Sequence, residues 1–279
     1  MAVSNPQGQA VPKAVLLFDI DGVIRDVGAS YRRAIIETVH HFSGIRPLPA
    51  DIDALKAEGC WNNDWHASME LLRRQAGHHS ADAPRSTVKT PTLETLVEVF
   101  NGFYFGGDPD GDPSEWQGFI GDEPLLVSSD FFMDLQEAGV AWGFVSGAEP
   151  ASARFVLERR LGLHAPPLIA MGDAPDKPDP TGFLELANQL LKQPMSATAP
   201  PVAYLGDTVA DVYTVVNARR IWPQQAFFSL AVAPPHLQAV SQRAARAGYE
   251  EGLSQAGADV ILSQTCEAAA WISNLSARA

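Results

Sequence analysis

Cysteine is scarce in this chain: Cys60 and Cys266 are the two among 279 residues, too few for a disulfide framework and without metal-ligand spacing. Reduced thiols and a cytoplasmic location are expected. Long apolar runs are also missing. Ala14 to Phe18 and Val202 to Leu205 are typical, far short of the roughly 20 residues that a membrane span requires, so no membrane is expected as a partner. Residues 1–13 hold Pro6, Gly8 and Pro12 and no apolar core, so no secretory leader is read there. Positive charge is in deficit, with 20 Lys and Arg against 33 Asp and Glu and a net charge of -13. Such a surface repels phosphate backbones on average, which argues against nucleic acid as a partner. A small anion stays compatible, because a metal ion, a lysine and a few amides reverse the field locally. What is abundant is apolar residue content, 46%, enough for one large domain or two modest ones.

The apolar segments are short and regularly placed. Ala14–Phe18, Val140–Val145, Leu168–Met171, Val202–Leu205 and Phe227–Val232 have the length and composition of buried parallel strands, and Asp259–Leu262 adds a possible sixth. Helix-like stretches separate most of them. The expected fold is therefore α/β, a Rossmann-like doubly wound parallel sheet, whose ligands bind beyond the carboxyl ends of the strands. Between Asp26 and about Glu123 the alternation stops. Amphipathic patterns take its place at Tyr31–Phe42, Trp65–Leu72 and Leu93–Phe100, which predicts an inserted α-helical cap domain over residues 28–121, within a core of residues 1–27 and 122–279. Hinges are expected near Asp26–Ala29 and Gly118–Pro124. Gly77–Pro91 and Gly106–Gly121 read as loops. Asp108 to Glu115 is rich in Asp, but an EF-hand would need Gly where Pro113 stands and Glu where Phe119 stands.

Polar residues cluster at the predicted strand ends. Phe18-Asp-Ile-Asp-Gly-Val-Ile24 puts two carboxylates one residue apart directly after the first strand, so that one can attack while the other handles protons. An Asp-Gly turn alone is weak, since solvent-facing turns share it. The order of the other elements changes its weight: Phe144-Val-Ser-Gly147, Lys177-Pro-Asp-Pro180 and Leu205-Gly-Asp-Thr-Val-Ala-Asp211 end or follow later strands. In these four motifs the chain resembles the haloacid dehalogenase superfamily, over essentially its whole length. The insertion looks like the helical cap of subfamily I, which includes phosphoglycolate phosphatase and β-phosphoglucomutase. Gly59-Cys-Trp-Asn-Asn-Asp-Trp65 suggests a particular subgroup without indicating a substrate.

The resemblance implies a Mg²⁺-dependent phosphatase acting on a small phosphorylated metabolite, such as a sugar or organic-acid phosphate. Asp19 would be the nucleophile and Asp21 the acid and base, with its carbonyl on the metal. Ser146, Gly147, Lys177 and the amides after Asp19, including those of Ile20 and Asp21, would bind the phosphoryl group. Asp19, Asp21 and Asp207 would hold Mg²⁺, and Asp211 would either join them or orient a ligand.

Cap specificity candidates are Arg25, Trp61, Asn62 and Asn63; the competing reading has Asp64 capping the next helix while the tryptophans pack. Arg32 and Arg33 are either anion contacts or helix-surface residues. His40, His41, His78 and His79 come in pairs without a matching Cys or carboxylate pattern, which argues against zinc. Gly206 begins no dinucleotide fingerprint. A phosphomutase of the β-phosphoglucomutase type and a non-catalytic phospho-metabolite sensor remain alternatives. A dehalogenase is disfavoured by Asp21. Monomer and homodimer are equally compatible with the sequence.

Overall fold

A computed structural model describes residues 11–56, 58, 61, 63–77 and 90–276. The chain folds as two compact units, Met1–Asp26 with Pro124–Ala279, and Val27–Glu123. The elements in chain order are β1 (Ala14–Phe18), α1 (Tyr31–Ser43), α2 (Pro49–Lys56), α3 (Asp64–Gly77), α4 (Leu93–Tyr104), α5 (Ser129–Glu137), β2 (Val140–Val145) and α6 (Pro150–Arg154). A π-helical stretch, Phe155–Arg160, extends α6. Then come β3 (Leu168–Ile169), α7 (Thr181–Leu191), β4 (Val202–Gly206), α8 (Val209–Ile221), β5 (Phe227–Val232), α9 (Arg243–Ala256), β6 (Val260–Leu262) and α10 (Glu267–Ser276).

The larger unit is a six-stranded sheet in the order β3-β2-β1-β4-β5-β6, and every pairing is parallel. It is the Rossmann-like α/β architecture expected from the alternating runs. Both faces are covered, which is why β1 is apolar at every position instead of alternating with polar residues. Ala14, Leu16 and Phe18 pack into one core layer with α5 residues Phe131 and Phe132 and with Trp142 and Phe144 of β2. Val15 and Leu17 face the other way, into a layer with Phe183, Leu186 and Leu190 of α7 and Val215 of α8. Burying a side chain of this size contributes about 1.5–3 kcal/mol, so β1 is held from both sides.

Register places the functional strand ends together. Phe18 stands opposite Phe144 of β2 and Leu205 of β4, so Asp19, Ser146 and Asp207 emerge within one or two residues of a common level. Strand β3 is shorter than the run Leu168–Met171 suggested. The Asp173 carboxylate accepts from the Ala170 N–H at 2.9 Å and turns the chain out of the ladder.

In the unit Val27–Glu123, α1 packs on α3 and α4. The Tyr31 ring stacks on Tyr104 with centroids 4.3 Å apart. Buried Glu123 accepts from the Ser30 hydroxyl at 2.5 Å and the Tyr104 hydroxyl at 3.1 Å. Helix α2 was not foreseen. It is short, its described buried side chains are Ile52 and Leu55, and it starts at Pro49 with the Asp51 carboxylate accepting from the Leu48 N–H, a local device with little periodicity to read. The Gly106–Gly121 segment holds two 3₁₀ turns, Pro113–Glu115 and Phe119–Asp122. Most of Gly77–Pro91 lies outside the described residues, as do Cys60, His78 and His79. No helix among the described residues is long and apolar enough to cross a membrane.

Candidate active site

β1 delivers Asp19 to the end of the sheet, where its amide donates to the Leu205 carbonyl at 2.9 Å. The next residues reverse sharply, with the Ile24 and Arg25 amides both donating to the Ile20 carbonyl and the Gly22 amide to Arg25. Gly22 is required in this turn for two reasons. Its φ of 77° lies in the left-handed region, and a Cβ there would fall 2.0 Å from the Asp207 Oδ2. Among the described residues, no hydrogen bond engages the amides of Ile20, Asp21 or Gly147. They remain available to an anion at the strand ends.

Asp19 is 5% exposed, and its Oδ1 is buried without a hydrogen bond, although the Lys177 ammonium stands 3.1 Å away. The distance makes an ion pair and the angle does not make a hydrogen bond. Burial pushes the Asp19 carboxyl up to about 6, Lys177 opposes that shift, and Asp211 and Asp21 add to it. The Ser146 hydroxyl favours the charged form by a smaller amount. Ser146 itself is 6% exposed, and its Oγ also accepts from the Ala148 amide at 3.2 Å.

Lys177 donates to Asp211 Oδ1 at 2.5 Å and to the Tyr204 hydroxyl at 3.2 Å. Burial alone would lower its pKa, but Asp19 and Asp211 together hold it well above the usual lysine range, so the ammonium stays charged. Asp211 is committed within the protein. Its Oδ1 faces Lys177 and Tyr204, and its Oδ2 accepts from the Thr208 amide at 2.9 Å and hydroxyl at 2.6 Å, closing a capping box at the start of α8. Despite burial, Lys177 and the Thr208 bonds hold the Asp211 carboxyl below its ordinary range.

Asp207 contrasts with Asp211. Among the described residues no hydrogen bond or ion pair reaches its carboxylate, and burial, followed by the charges of Asp19 and Asp211, pushes it well above the carboxylate range. Asp19, Asp207 and Asp211 each present an oxygen within 4.8 Å of the others. A buried Oδ1 without a hydrogen bond and, beside it, a carboxyl that no described side chain engages fit a hard, oxygen-seeking divalent cation, which would offset the burial and like charges that raise both groups.

The structure assembles Asp19, Asp21, Ser146, Gly147, Lys177, Asp207 and Asp211 at the strand ends, and it redistributes the specificity candidates. Arg25 belongs to the sheet unit and not to the inserted helices. It is wholly buried, with its Nε 2.6 Å from Asp21 Oδ1 and an Nη 2.8 Å from the Ser152 Oγ. A guanidinium needs such partners once buried, and Asp21 is four residues away on the same turn. Asn63, not Asp64, caps α3, its side-chain oxygen accepting from the Trp65 and His66 amides at 3.0 Å each. The Trp61 indole donates to Glu58 at 2.8 Å. Glu58 also receives Arg74, which bonds in turn to buried Glu70, whose carboxyl Arg73 and Arg74 hold down near 2. Arg33 lies 4.0 Å over the Phe119 ring. Asn62 lies outside the described residues.

Two tyrosines had not been anticipated. Tyr204 sits inside an apolar strand, and its hydroxyl reaches past Lys177 to the Val145 carbonyl at 2.7 Å. A tyrosine in a fully buried strand signals that its polar tip has a partner, without saying which. Tyr249, on α9, donates to the Asp207 carbonyl at 2.8 Å, and no motif surrounds it.

An acidic, lysine-bearing cluster at the carboxyl ends of the strands lies where doubly wound α/β sheets bind their ligands. Comparison narrows it: residues 13–218 match the model of the haloacid dehalogenase-like hydrolases, and the chain belongs to that family. It is 30% identical over 258 residues to an imidazoleglycerol-phosphate dehydratase of Phytophthora nicotianae, covering 91% of this chain and 51% of that protein. The chain thus spans about half the length of the relative it matches. Among solved structures, phosphatase Tt82 from Thermococcus thioreducens aligns with a TM-score of 0.56 at 20% identity, over 86% of this chain and 99% of that one. A phosphonoacetaldehyde hydrolase-like protein from Oleispira antarctica aligns with a TM-score of 0.59 at 14% identity, over 98% of both chains. At these identities the structures attest the fold.

Proposed function

We propose that the protein is a Mg²⁺-dependent phosphatase that hydrolyses a small phosphate monoester through an aspartyl-phosphate. The observation carrying this reading is the Asp19 carboxylate, buried at a strand end, with Lys177 at 3.1 Å and the unpaired carboxylate of Asp207 in the same cluster. Asp19 attacks phosphorus. The bond to the leaving oxygen breaks, Asp21 delivers the proton to that oxygen, and the alcohol departs. Asp21 then takes a proton from water, which attacks the aspartyl-phosphate and releases inorganic phosphate and free Asp19. Ser146 and the amides of Ile20, Asp21 and Gly147 supply donors to the phosphoryl oxygens.

Lys177 keeps Asp19 in place as a fixed positive charge, and Asp211 keeps Lys177 in place. Because both Asp211 oxygens are already engaged, Asp211 orients these groups, while Asp19 and Asp207, with the Asp21 carbonyl, are the metal ligands. Mg²⁺ held there would neutralise charge between the carboxylates and the phosphoryl group. The helical unit serves as the cap that selects the substrate.

The test is phosphate release from a panel of sugar phosphates, phosphorylated sugar acids and nucleotides, with Mg²⁺ or EDTA, for wild type and Asp19→Asn. The relative from Phytophthora is named for a phosphate monoester, so imidazole glycerol phosphate belongs in the panel. Magnesium-dependent release by wild type alone is expected. Equal release by Asp19→Asn would overturn the mechanism, and an isomerised sugar phosphate without free phosphate would replace hydrolysis by mutase chemistry.

A further inference from the structure

Among the described residues no side chain bonds to the Asp207 carboxyl, so its aim depends on the backbone that carries it. That backbone is short: β4 ends at Gly206, α8 begins at Val209, and Asp207 and Thr208 alone connect them. The peptide joining Asp207 to Thr208 is gripped on both sides. Its N–H, from Thr208, donates to Asp211 Oδ2 at 2.9 Å, and its C=O, from Asp207, accepts from the Tyr249 hydroxyl at 2.8 Å. With both ends bonded, the peptide plane resists rotation, which restrains the backbone from which the Asp207 side chain projects.

The first grip comes from the motif itself. The second comes from α9, whose residues lie beyond the segment 13–218 that the family model matches. Tyr249 is in turn fixed, because its ring packs against a small apolar cluster built on Val212, Ala231 and Leu253. Burial and the carboxylates of Asp207 and Asp211 keep the phenol neutral, so it serves as a donor.

We propose that Tyr249 is a positioning residue for the cation site: by holding the Asp207 carbonyl from α9, its hydroxyl presets a metal-ligand carboxyl that no side chain among the described residues engages. The inference rests on the reading of Asp207 as a metal ligand. Groups that hydrogen-bond a ligating side chain itself are typically worth about 10–100-fold in metal affinity, and a bond to the ligand's backbone belongs at the lower end of that range.

The experiment is calorimetric titration of Mn²⁺ into the metal-free full chain, for wild type, Tyr249→Phe, Leu253→Ala and Asp207→Asn, with a melting curve for each. Tyr249→Phe should bind Mn²⁺ at least about tenfold more weakly than wild type. Leu253→Ala, which loosens the cluster behind the ring but keeps the hydroxyl itself, should lower the melting temperature and weaken Mn²⁺ binding less than Tyr249→Phe does. Asp207→Asn should not bind. Mn²⁺ affinity unchanged in Tyr249→Phe, or weakened equally in Leu253→Ala, overturns the role of the hydroxyl while leaving the metal reading intact. Absence of Mn²⁺ binding by wild type overturns the metal reading and this inference together.

Discussion

Replacing Asp19 with Asn should make the metal-free protein more stable at neutral pH, while abolishing turnover. Burial pushes the carboxyl up to about 6 in the fold against 3.8 when solvated, and each tenfold in proton affinity is worth about 1.4 kcal/mol. The sign follows from proton binding. Between those two values the folded state holds a proton that the unfolded state has lost, so stability falls as pH rises from about 4 to about 6 and the whole penalty is present above that. At pH 7.5 the ionised carboxylate therefore costs about 3 kcal/mol, Lys177 included. An Asn amide carries no charge but leaves polar atoms to satisfy, at about 1 kcal/mol, so the net gain is about 2 kcal/mol. For a unit of this size that is about 4–8 °C in melting temperature. The assay is thermal melting followed by circular dichroism in EDTA at pH 7.5 and pH 4.0. The advantage of Asp19→Asn should be present at pH 7.5 and gone at pH 4.0, and Mg²⁺ should raise the melting temperature of wild type more than that of the variant. An Asp19→Asn protein that melts no higher than wild type at pH 7.5, or keeps the same advantage at pH 4.0, would refute the argument.

Two further substitutions separate the site from its scaffold. Gly22→Ala puts a methyl group 2.0 Å from Asp207 Oδ2 and strains a φ of 77°, so it should cost at least about 1–2 kcal/mol in urea unfolding and remove Mg²⁺-dependent stabilisation. A Gly22→Ala protein with wild-type metal response would show that Asp207 does not occupy the proposed position. Asn63→Ala deletes the cap of α3 and should lower stability by about 1 kcal/mol while the ranking of substrates stays as in wild type. A changed ranking would return Asn63 to the specificity residues.

Much of the sheet unit was legible in the sequence because its strands are buried on both faces and so appear as unbroken apolar runs. β1, β2 and β5 coincide with their runs, and β4 adds Gly206 alone. The shortfall at β3 has a specific cause, since Asp173 takes the Ala170 amide through a side chain that hydrophobic periodicity does not register. α2 escaped for a related reason, its capping being local and its buried face small. Among the site residues, those next to strand ends in a recognisable order were legible, because chain order and strand direction already place them at one edge of a parallel sheet.

What the sequence by itself determined is therefore the fold class, the family, and the set of residues that gather at the carboxyl ends of β1, β2 and β4. What tertiary structure alone decided is how those residues divide their work. The motif left open whether Asp211 joins Asp207 on the metal or orients a ligand, yet in the fold Asp211 is saturated by Thr208, Lys177 and Tyr204, while no side chain among the described residues bonds to the Asp207 carboxyl. Arg25 reads as a specificity candidate, yet it is buried against Asp21 and Ser152. Asn63 reads as a possible ligand contact, yet its side chain closes the start of a helix. Tyr249 lies 42 residues from Asp207 and reaches it only because α9 packs beside α8. Hydrogen-bond partners drawn from distant segments depend on packing, and packing is the part of the physics that spacing along a chain does not contain.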